Sequence, residues 1–594
     1  MSEGADEGRH SNREGSSSLE GESEDDIEDY SENLPEDVEL VGEAQSMDLA
    51  PKSAKHEFSD RSITKGQSPS RRRRLNRTVS EPSLLTDRSP SPSVESSMTF
   101  SGPYLGSPSS RALRNVPLNT PSPDLGSDSG TDWSLLSKDL QFYLNYHRNH
   151  LTFHHYLMLY DAQDFLRTTF LDMAVKDEPL LYAVAGFSAF HHTITLPDGR
   201  IQAFLTYYDK SVSLLLLSLR KNQRHTASTL LAILQLASFE EYLGDWVNLL
   251  MHQKAAHEIL TELYDPHSVM QSPMRQVIFH WYSRFAVFAG LMSGRETVLG
   301  REWFSAAQQY YQEQVERYQD DVCHKIEEAI ASLRLIAVDM SILFAKRAKE
   351  SIRHDEFVGE SDALLDRITG WRDNMHPSLR ERAFAITSFN GAPGLDSDDI
   401  VDPYVPGILF GGPIWTMNFV LISWYTLGIL HRYQTALALQ RQLPAEVECM
   451  ALQTCQLAEA IELYPESPPG AALAAAQTSL TIASLFLPMD DRHTTWALRK
   501  FSRIEQLGYT HPPAFRAKMS ERWNIPSIKH SWSLIDESCP EIIHSIRSFV
   551  EDRARTAPAR DVLSKDVADM KAVFGSMKLE EGHNESSSSQ VNLA

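Results

Sequence analysis

The sequence predicts an all-α protein: a large bundle or solenoid-like array of helical hairpins, preceded by a disordered N-terminal region. Apolar residues recur at helical spacing after Trp133, and the alternation typical of strands is scarce there. Only four aromatic residues precede Trp133, although the 594-residue chain holds 25 Phe, 20 Tyr and 10 Trp. The first 130 residues therefore cannot bury a core, whereas the rest can support one large domain.

Composition divides the chain into three regions. We expect disorder over residues 1–130, which are acidic over 1–50 and basic and Ser/Pro-rich over 51–130. Residues 131–553 are expected to form the helical domain, and 554–594 a flexible tail. The formal net charge of −24 opposes nonspecific DNA binding by the chain as a whole. No fixed repeat period is visible, so a regular array is not predicted.

The first acidic stretch carries a few apolar residues among its carboxylates. Residues 1–50 hold 17 acidic and 2 basic residues. The apolar anchors within them are Ile27, Tyr30, Leu34, Val38 and Leu40. This composition is typical of an acidic activation segment, in which charge keeps the anchors solvated until a partner groove binds them. A solubilising tail without a partner has the same composition, so both interpretations remain open.

The next stretch reverses the sign of the charge. Residues 51–115 hold 12 basic and 5 acidic residues, and the basic residues include a run of four arginines. The run consists of Arg71, Arg72, Arg73 and Arg74. We interpret it as a candidate nuclear import signal, and we therefore expect the protein in the nucleus. A nucleic-acid patch and an incidental charge run are the alternatives.

A phosphorylation motif follows the arginine run. Arg77 lies three residues before Ser80, and Pro82 lies two residues after it, which gives the form R-x-x-S-x-P. Phosphorylated, this form resembles a ligand of 14-3-3 proteins, whose arginines clamp the phosphate. Such binding would mask the import signal and retain the protein in the cytoplasm, so the protein would shuttle between nucleus and cytoplasm. Six Ser-Pro or Thr-Pro pairs between residues 68 and 123 add candidate kinase sites.

The helical segments begin after Trp133. Residues 140–159 read as one helix, Asp177 and Pro179 mark the start of the next, and 201–219 read as a third. His147, His150 and His154 share a face if 140–159 is a continuous helix. Three histidines at that spacing can hold a metal. Core or surface histidines without metal are the favoured interpretation, because no carboxylate or thiol completes a ligand set nearby.

Residues 226–263 are the stretch around which we expect the other helices to pack. The first half, 226–243, is apolar nearly all round a helix and needs cover on every side. Gly244 can end that helix and Asp245 can cap the next, which is amphipathic. A buried helix joined by a tight turn to an amphipathic one is an αα-hairpin.

Further helices are predicted along the rest of the chain. They cover residues 277–292, a charged region over 303–353, and 363–374, 413–430, 446–464, 471–487, 491–507 and 531–548. Residues 403–430 carry no charge, so a membrane span must be considered. We favour a buried helix over 413–430, because Pro and Gly break the first half and the flanks lack a Lys/Arg asymmetry.

The sequence offers little that points to catalysis. It contains no nucleophile elbow, no phosphate-binding glycine loop and no zinc-protease motif, so we expect no enzyme. The four cysteines, Cys323, Cys449, Cys455 and Cys539, are far apart or in helical runs, and no disulfide framework follows.

Five stretches in order resemble a known family. They are DEPLLYAVAGFSAFHH (177–192), TLLAILQLASFEEYLGDWVNLLMHQKAAHEIL (229–260), FHWYSRFAVFAGLMSGRETVLGREWF (279–304), LFGGPIWTMNFVLISWYTLGILHRYQ (409–434) and SLFLPMDDRHTTWALRKFSRIEQLGYTHPPAFRAKMSERW (484–523). Together they resemble the fungal-specific transcription factor domain, the helical regulatory region of zinc binuclear cluster regulators. The resemblance runs from about residue 133 to about residue 550 and implies a nuclear, DNA-binding transcription regulator.

One feature of that family has no counterpart here. The family's DNA-binding module holds two zinc ions with six cysteines, but no cysteine precedes Cys323 in this chain. We therefore expect no zinc cofactor, and no family zinc ligand or DNA-contact residue can be carried over. Direct sequence-specific DNA binding by this chain is accordingly doubtful.

Two functions are compatible with these observations. The first is a transcription regulator acting through its helical regulatory or interaction domain. The second is a scaffold or modulator of transcription factors that derives from the same family and does not bind DNA. The expected partners are the transcription machinery or other regulators, a 14-3-3 protein, and a homo- or heterodimeric partner, with no membrane.

Overall fold

Helices dominate the part of the chain that the computed structural model describes, which is residues 133–221, 224–467, 472–532 and 540–556. The only β-type pairing in these residues is an isolated antiparallel bridge between Ala385 and Phe410. The all-α prediction is therefore confirmed for the described residues.

Seventeen α-helices are found in those ranges, with short 3-10 helices between several of them. They are α1 (Lys138–His150), α2 (Thr169–Lys176), α3 (Glu178–Thr193), α4 (Gln202–Arg220), α5 (Ala227–Leu243), α6 (Trp246–Leu263), α7 (Pro273–Ser293), α8 (Arg301–Arg317), α9 (Val322–Ala348), α10 (His354–Asn374), α11 (Met417–Leu439), α12 (Glu446–Leu463), α13 (Ala472–Ala475), α14 (Gln477–Ser484), α15 (Asp491–Gln506), α16 (Pro513–Trp523) and α17 (Glu541–Thr556). The most extensive contacts join consecutive helices: α3 with α4, α5 with α6, α8 with α9, and α11 with α12. The array of helical hairpins is thus observed.

The hairpin of α5 and α6 forms as the sequence predicts. Residues 230–243 of α5 are all buried, in keeping with an apolar surface on every side. Gly244 ends α5 with φ 74°, and the Asp245 side chain accepts a hydrogen bond from the Asn248 backbone N–H at the start of α6. A Cβ at position 244 would meet the Thr510 carbonyl oxygen at 2.5 Å. The turn therefore requires glycine both for its left-handed backbone and for close contact with a distant loop.

The predicted helix over 140–159 is wrong in its second half. Helix α1 ends at His150, and the chain then turns through a 3-10 helix, Phe153–Tyr156. The Thr152 backbone N–H donates to His155 Nδ1 at 3.0 Å, which is a local hydrogen bond that competes with helix continuation. The 303–353 region is two helices, α8 and α9, and 471–487 is broken into α13 and α14. Helix α16 was not predicted as a separate element.

Helix α11 passes through the interior of the domain. Among the described residues, one segment, Gly412–Leu439, is long and apolar enough to cross a membrane, but 78% of its most apolar window is buried within the protein. It packs against α9, α10, α12 and α14. The burial that we predicted for 413–430 is therefore observed, and neighbouring helices provide it.

Candidate functional site

A cavity of about 200 Å³ lies where α7, α9, α11 and α14 meet. The end of α5, the short helix α13, Leu157 and Leu159 complete its wall. Its apolar lining consists of Phe285, Val287, Phe288 and Leu291 on α7, Ile330, Leu333 and Ala337 on α9, Val420, Leu427 and Leu430 on α11, Ala475 on α13 and Ile482 on α14. Hydroxyl side chains of α11 and α14 add a small polar share: Ser423, Thr426, Thr478 and Ser479.

The wall follows from helical periodicity. On α7 the lining includes positions 284, 287, 288 and 291, and on α9 it is 330, 333, 334 and 337. Both sets have the spacing i, i+3, i+4, i+7, which places the side chains on one face of a helix. Each helix thus turns a single stripe toward the cavity. In both stripes one of the four positions is an arginine, Arg284 or Arg334.

The first arginine is neutralised by the protein. Arg284 donates from Nη1 and Nη2 to Glu241 Oε1 and Oε2, at 2.9 and 2.6 Å. Glu241 is at the end of the buried helix α5, and its side chain is 5% exposed. This two-pronged geometry is the strongest form of an arginine–carboxylate pair, and it uses both carboxylate oxygens.

The second arginine has a neutral neighbour instead. Arg334 Nη1 donates to His280 Nδ1 at 2.5 Å. Because arginine has no acceptor, His280 must carry its own proton on Nε2, which then donates to the Tyr311 hydroxyl at 2.8 Å. Burial and the adjacent Arg334 lower the pKa of His280 well below its ordinary value. The imidazole is therefore neutral and fixes the position of the guanidinium without balancing its charge.

Arg334 consequently remains an uncompensated cation. No carboxylate among the described residues contacts it, and His280 is its one protein hydrogen-bond partner. Burial lowers the pKa of Arg334 to about 10, so it stays protonated near neutral pH. Two guanidinium groups and one carboxylate line the cavity, which gives its wall a net charge of +1. An apolar cavity with a net charge is an arrangement that can bind an anionic group of a small molecule.

The three histidines of the metal hypothesis do not converge. His147 Nε2 donates to the Tyr156 hydroxyl at 2.5 Å. His154, which lies in the 3-10 helix, packs on Phe419 of α11, and His150 is exposed. Burial lowers the pKa of both His147 and His154 to about 3. Within the described ranges no group of three or more His, Cys, Asp or Glu residues could hold a metal ion.

The other residues that we predicted from sequence lie outside the described residues. These are the activation anchors Ile27, Tyr30, Leu34, Val38 and Leu40, the import signal Arg71–Arg74, and the motif of Arg77, Ser80 and Pro82. All of them remain predictions. Of the cysteines, Cys323 and Cys449 are exposed and free, Cys455 is buried and free, and Cys539 lies outside the described residues.

Sequence reasoning did not anticipate the cavity. A signal was present, because Arg334 is a lone charge in the apolar run ASLRLIAV and Arg284 is another in WYSRFAVFAG. Single arginines inside apolar helical stretches need a partner from elsewhere in the fold. The spacing along the chain cannot say whether that partner is a carboxylate or an open cavity.

The geometry described above lies within a recognised family region. A sequence model of the fungal specific transcription factor domain matches residues 142–511, which include every residue that lines the cavity. Comparisons with curated proteins and with solved structures found no match. The family is one of transcription factor domains rather than of enzymes. Because the match covers more than half of the 594 residues, this chain belongs to the fungal specific transcription factor domain family.

Proposed function

We propose that this chain is a transcription regulator whose helical domain responds to a small molecule bound in the central cavity. The family supports the general role in transcription and a nuclear location. The single observation that carries the sensing role is the cavity of about 200 Å³ among six helices of the regulatory region.

The position of the cavity suits regulation. Its wall is assembled from segments as far apart in sequence as Leu157 and Ile482. A molecule inside it would contact α7, α9, α11 and α14 together, and would favour whichever packing of those helices best encloses it. The equilibrium between packings would shift by the difference in binding free energy, which couples occupancy to the outer surfaces of the domain.

Filling the cavity with side-chain atoms tests this proposal. The variants are Ala337→Leu on α9 and Ser423→Leu on α11, which add bulk from different walls. The matched control is Ala363→Leu, on the exposed face of α10. Each full-length chain is fused to a heterologous DNA-binding domain, and reporter output is measured at equal protein level. We expect both filling variants, but not the control, to change output several-fold.

Thermal melting of the same chains separates regulation from misfolding. If both filling variants melt like the parent and give the parent's output, the cavity has no regulatory role. If only one changes output while melting normally, the wall that it comes from is the one that transmits occupancy.

A second candidate function is a scaffold that regulates other transcription factors without binding DNA itself. The observation in its favour is that no cysteine precedes Cys323, so the six-cysteine zinc module has no ligands in this chain. Selection of the purified 594-residue chain on a pool of random DNA duplexes distinguishes the two. Enrichment of a discrete motif would exclude the scaffold, and an unchanged thermal melt after chelation would agree with a protein that needs no zinc.

A further inference from the structure

We infer that the central cavity binds a small apolar molecule bearing one carboxylate, and that this carboxylate pairs with Arg334. The inference rests on the proposed function, because it takes the same cavity as the regulatory site. It adds the chemical class of the ligand, which follows from charge, size and shape in turn.

Charge sets the head group. Arg334 is protonated and faces the cavity, and among the described residues only the neutral His280 accepts a hydrogen bond from it. A partly buried cation without an anion is unfavourable, and a ligand carboxylate would remove that imbalance. A cationic ligand would add to the repulsion between Arg334 and Arg284. A neutral ligand would leave the charge as it is.

The second arginine limits the ligand to one anionic group. Arg284 already binds both oxygens of Glu241, so the two opposite charges of this pair cancel. A second ligand carboxylate would lie near Glu241 and would have to compete with it for Arg284. The cavity therefore offers one anion position beside Arg334, and the rest of the lining is mostly apolar.

Volume sets the size of the apolar part. An apolar cavity of about 150 Å³ accommodates a benzene ring, so 200 Å³ takes roughly eight to twelve non-hydrogen atoms. Medium-chain fatty acids and small aryl carboxylic acids have this size. Aromatic side chains at 285 and 288 and aliphatic ones at 333 and 427 supply the surface against which such a chain or ring can pack.

His280 acts as a positioning residue rather than a ligand contact. It takes one of the Arg334 donors and is itself held by Tyr311. The remaining guanidinium N–H groups are left for the ligand, and a planar guanidinium can present two of them in parallel to a carboxylate. Replacing His280 by Gln should weaken carboxylate binding less than replacing Arg334, and should leave binding of a neutral analogue unchanged.

The test compares two probes of the same chain length on the full-length protein. Isothermal titration calorimetry measures binding of octanoate and of octan-1-ol to the parent, to Arg334→Gln and to Arg353→Gln. Arg353 is the matched control, because its side chain is 85% exposed and is outside the cavity. We expect octanoate to bind the parent more tightly than octan-1-ol. Arg334→Gln should weaken octanoate binding by about 10- to 100-fold, with octan-1-ol binding unchanged.

Three results would overturn the inference. They are equal binding of the two probes by the parent, an octanoate affinity that Arg334→Gln does not change, and the absence of binding by either probe. Octan-1-ol binding to Arg334→Gln shows that this variant is folded. If neither probe binds but the filling variants still change reporter output, the ligand class is wrong and the proposed function stands. If octanoate binds through Arg334 but filling has no effect on output, the site is real and the regulatory role fails.

Discussion

Two clusters of this domain have the same charges, but one is partly buried and the other is fully buried. The cavity has Arg284, Arg334 and one carboxylate, Glu241. At the junction of α15, α16 and α17, Arg516 and Arg547 share the carboxylate of Glu505, and all three side chains are 5% exposed or less. Each cluster thus has one more cation than its central carboxylate can neutralise.

The protein supplies the missing partners in only one of them. At the junction, Arg516 donates to the backbone carbonyls of His511 and Lys529 at 2.6 and 3.1 Å, and the Glu551 carboxylate is 3.8 Å away. Arg547 also donates to the His530 carbonyl at 3.0 Å. In the cavity, Arg334 has one neutral imidazole and open space. The comparison teaches that an extra arginine can be fully buried where backbone carbonyls accept its hydrogen bonds, whereas the arginine without such carbonyls lies at the wall of a cavity.

The largest expected effect comes from removing the carboxylate of the closed cluster. Glu505→Gln leaves Arg516 and Arg547 buried beside each other without their shared anion. We expect the free energy of unfolding of the full-length chain to fall by about 4 kcal/mol, measured by urea titration with circular dichroism. Asp552→Asn, an exposed carboxylate on α17, is the control and should change stability by less than about 0.5 kcal/mol. A loss of similar size in both variants would mean that burial does not distinguish these charges.

A smaller loss of unfolding free energy is expected when the carboxylate of the cavity is removed. Glu241→Gln removes the partner of Arg284 and leaves two unneutralised arginines on one wall. We expect a loss of about 3 kcal/mol by the same titration, less than for Glu505→Gln because water can enter the cavity and hydrate the guanidinium groups. A loss greater than that of Glu505→Gln would contradict the idea that the cavity is the more open of the two clusters.

The next two variants should change the free energy of unfolding in opposite directions. Arg334→Met removes a charge that the protein does not balance, so we expect the free energy of unfolding to rise by about 1 kcal/mol. Arg516→Met removes the hydrogen bonds that two backbone carbonyls accept, so we expect the free energy of unfolding to fall by about 2 kcal/mol. Urea titrations of the two variants measured side by side check this. If both fall equally, Arg334 is an ordinary structural arginine.

Acidification should affect both clusters in the same direction. Burial and neighbouring arginines lower the pKa of His280 and of His511 well below 6.5. Below pH 6.5 the unfolded chain binds protons at these positions and the folded chain does not, so stability is lost as pH falls. Each histidine should contribute about 1 kcal/mol per pH unit between pH 6 and 5. Urea titrations at both pH values should show a smaller loss for His280→Gln and His511→Gln than for the parent.

The sequence predicted what local signals control. Gly244 and Asp245 are adjacent stop and start signals, so the hairpin of α5 and α6 could be placed correctly. The prediction of one helix over 140–159 was wrong in its second half. The hydrogen bond between Thr152 and His155 starts a new turn there, and no Gly or Pro marks that break in the sequence. The cavity could not be predicted, since Arg334 and His280 are 54 residues apart and meet only when α7 packs on α9. Whether a buried arginine finds a carboxylate is decided by such long-range packing.

The end of α5 also has a consequence for biosynthesis. Glu240, next to Glu241 in sequence, is buried and pairs with Arg553 of α17, 313 residues further along the chain. A ribosome adding about 5–20 residues per second needs roughly 15 to 60 seconds to cover that distance. During this interval α5, which is buried over residues 230–243, carries a carboxylate that has its hydrogen bond from Tyr208 but not yet its cationic partner. The ion pair that joins α5 to α17 can therefore form only after α17 has left the ribosome.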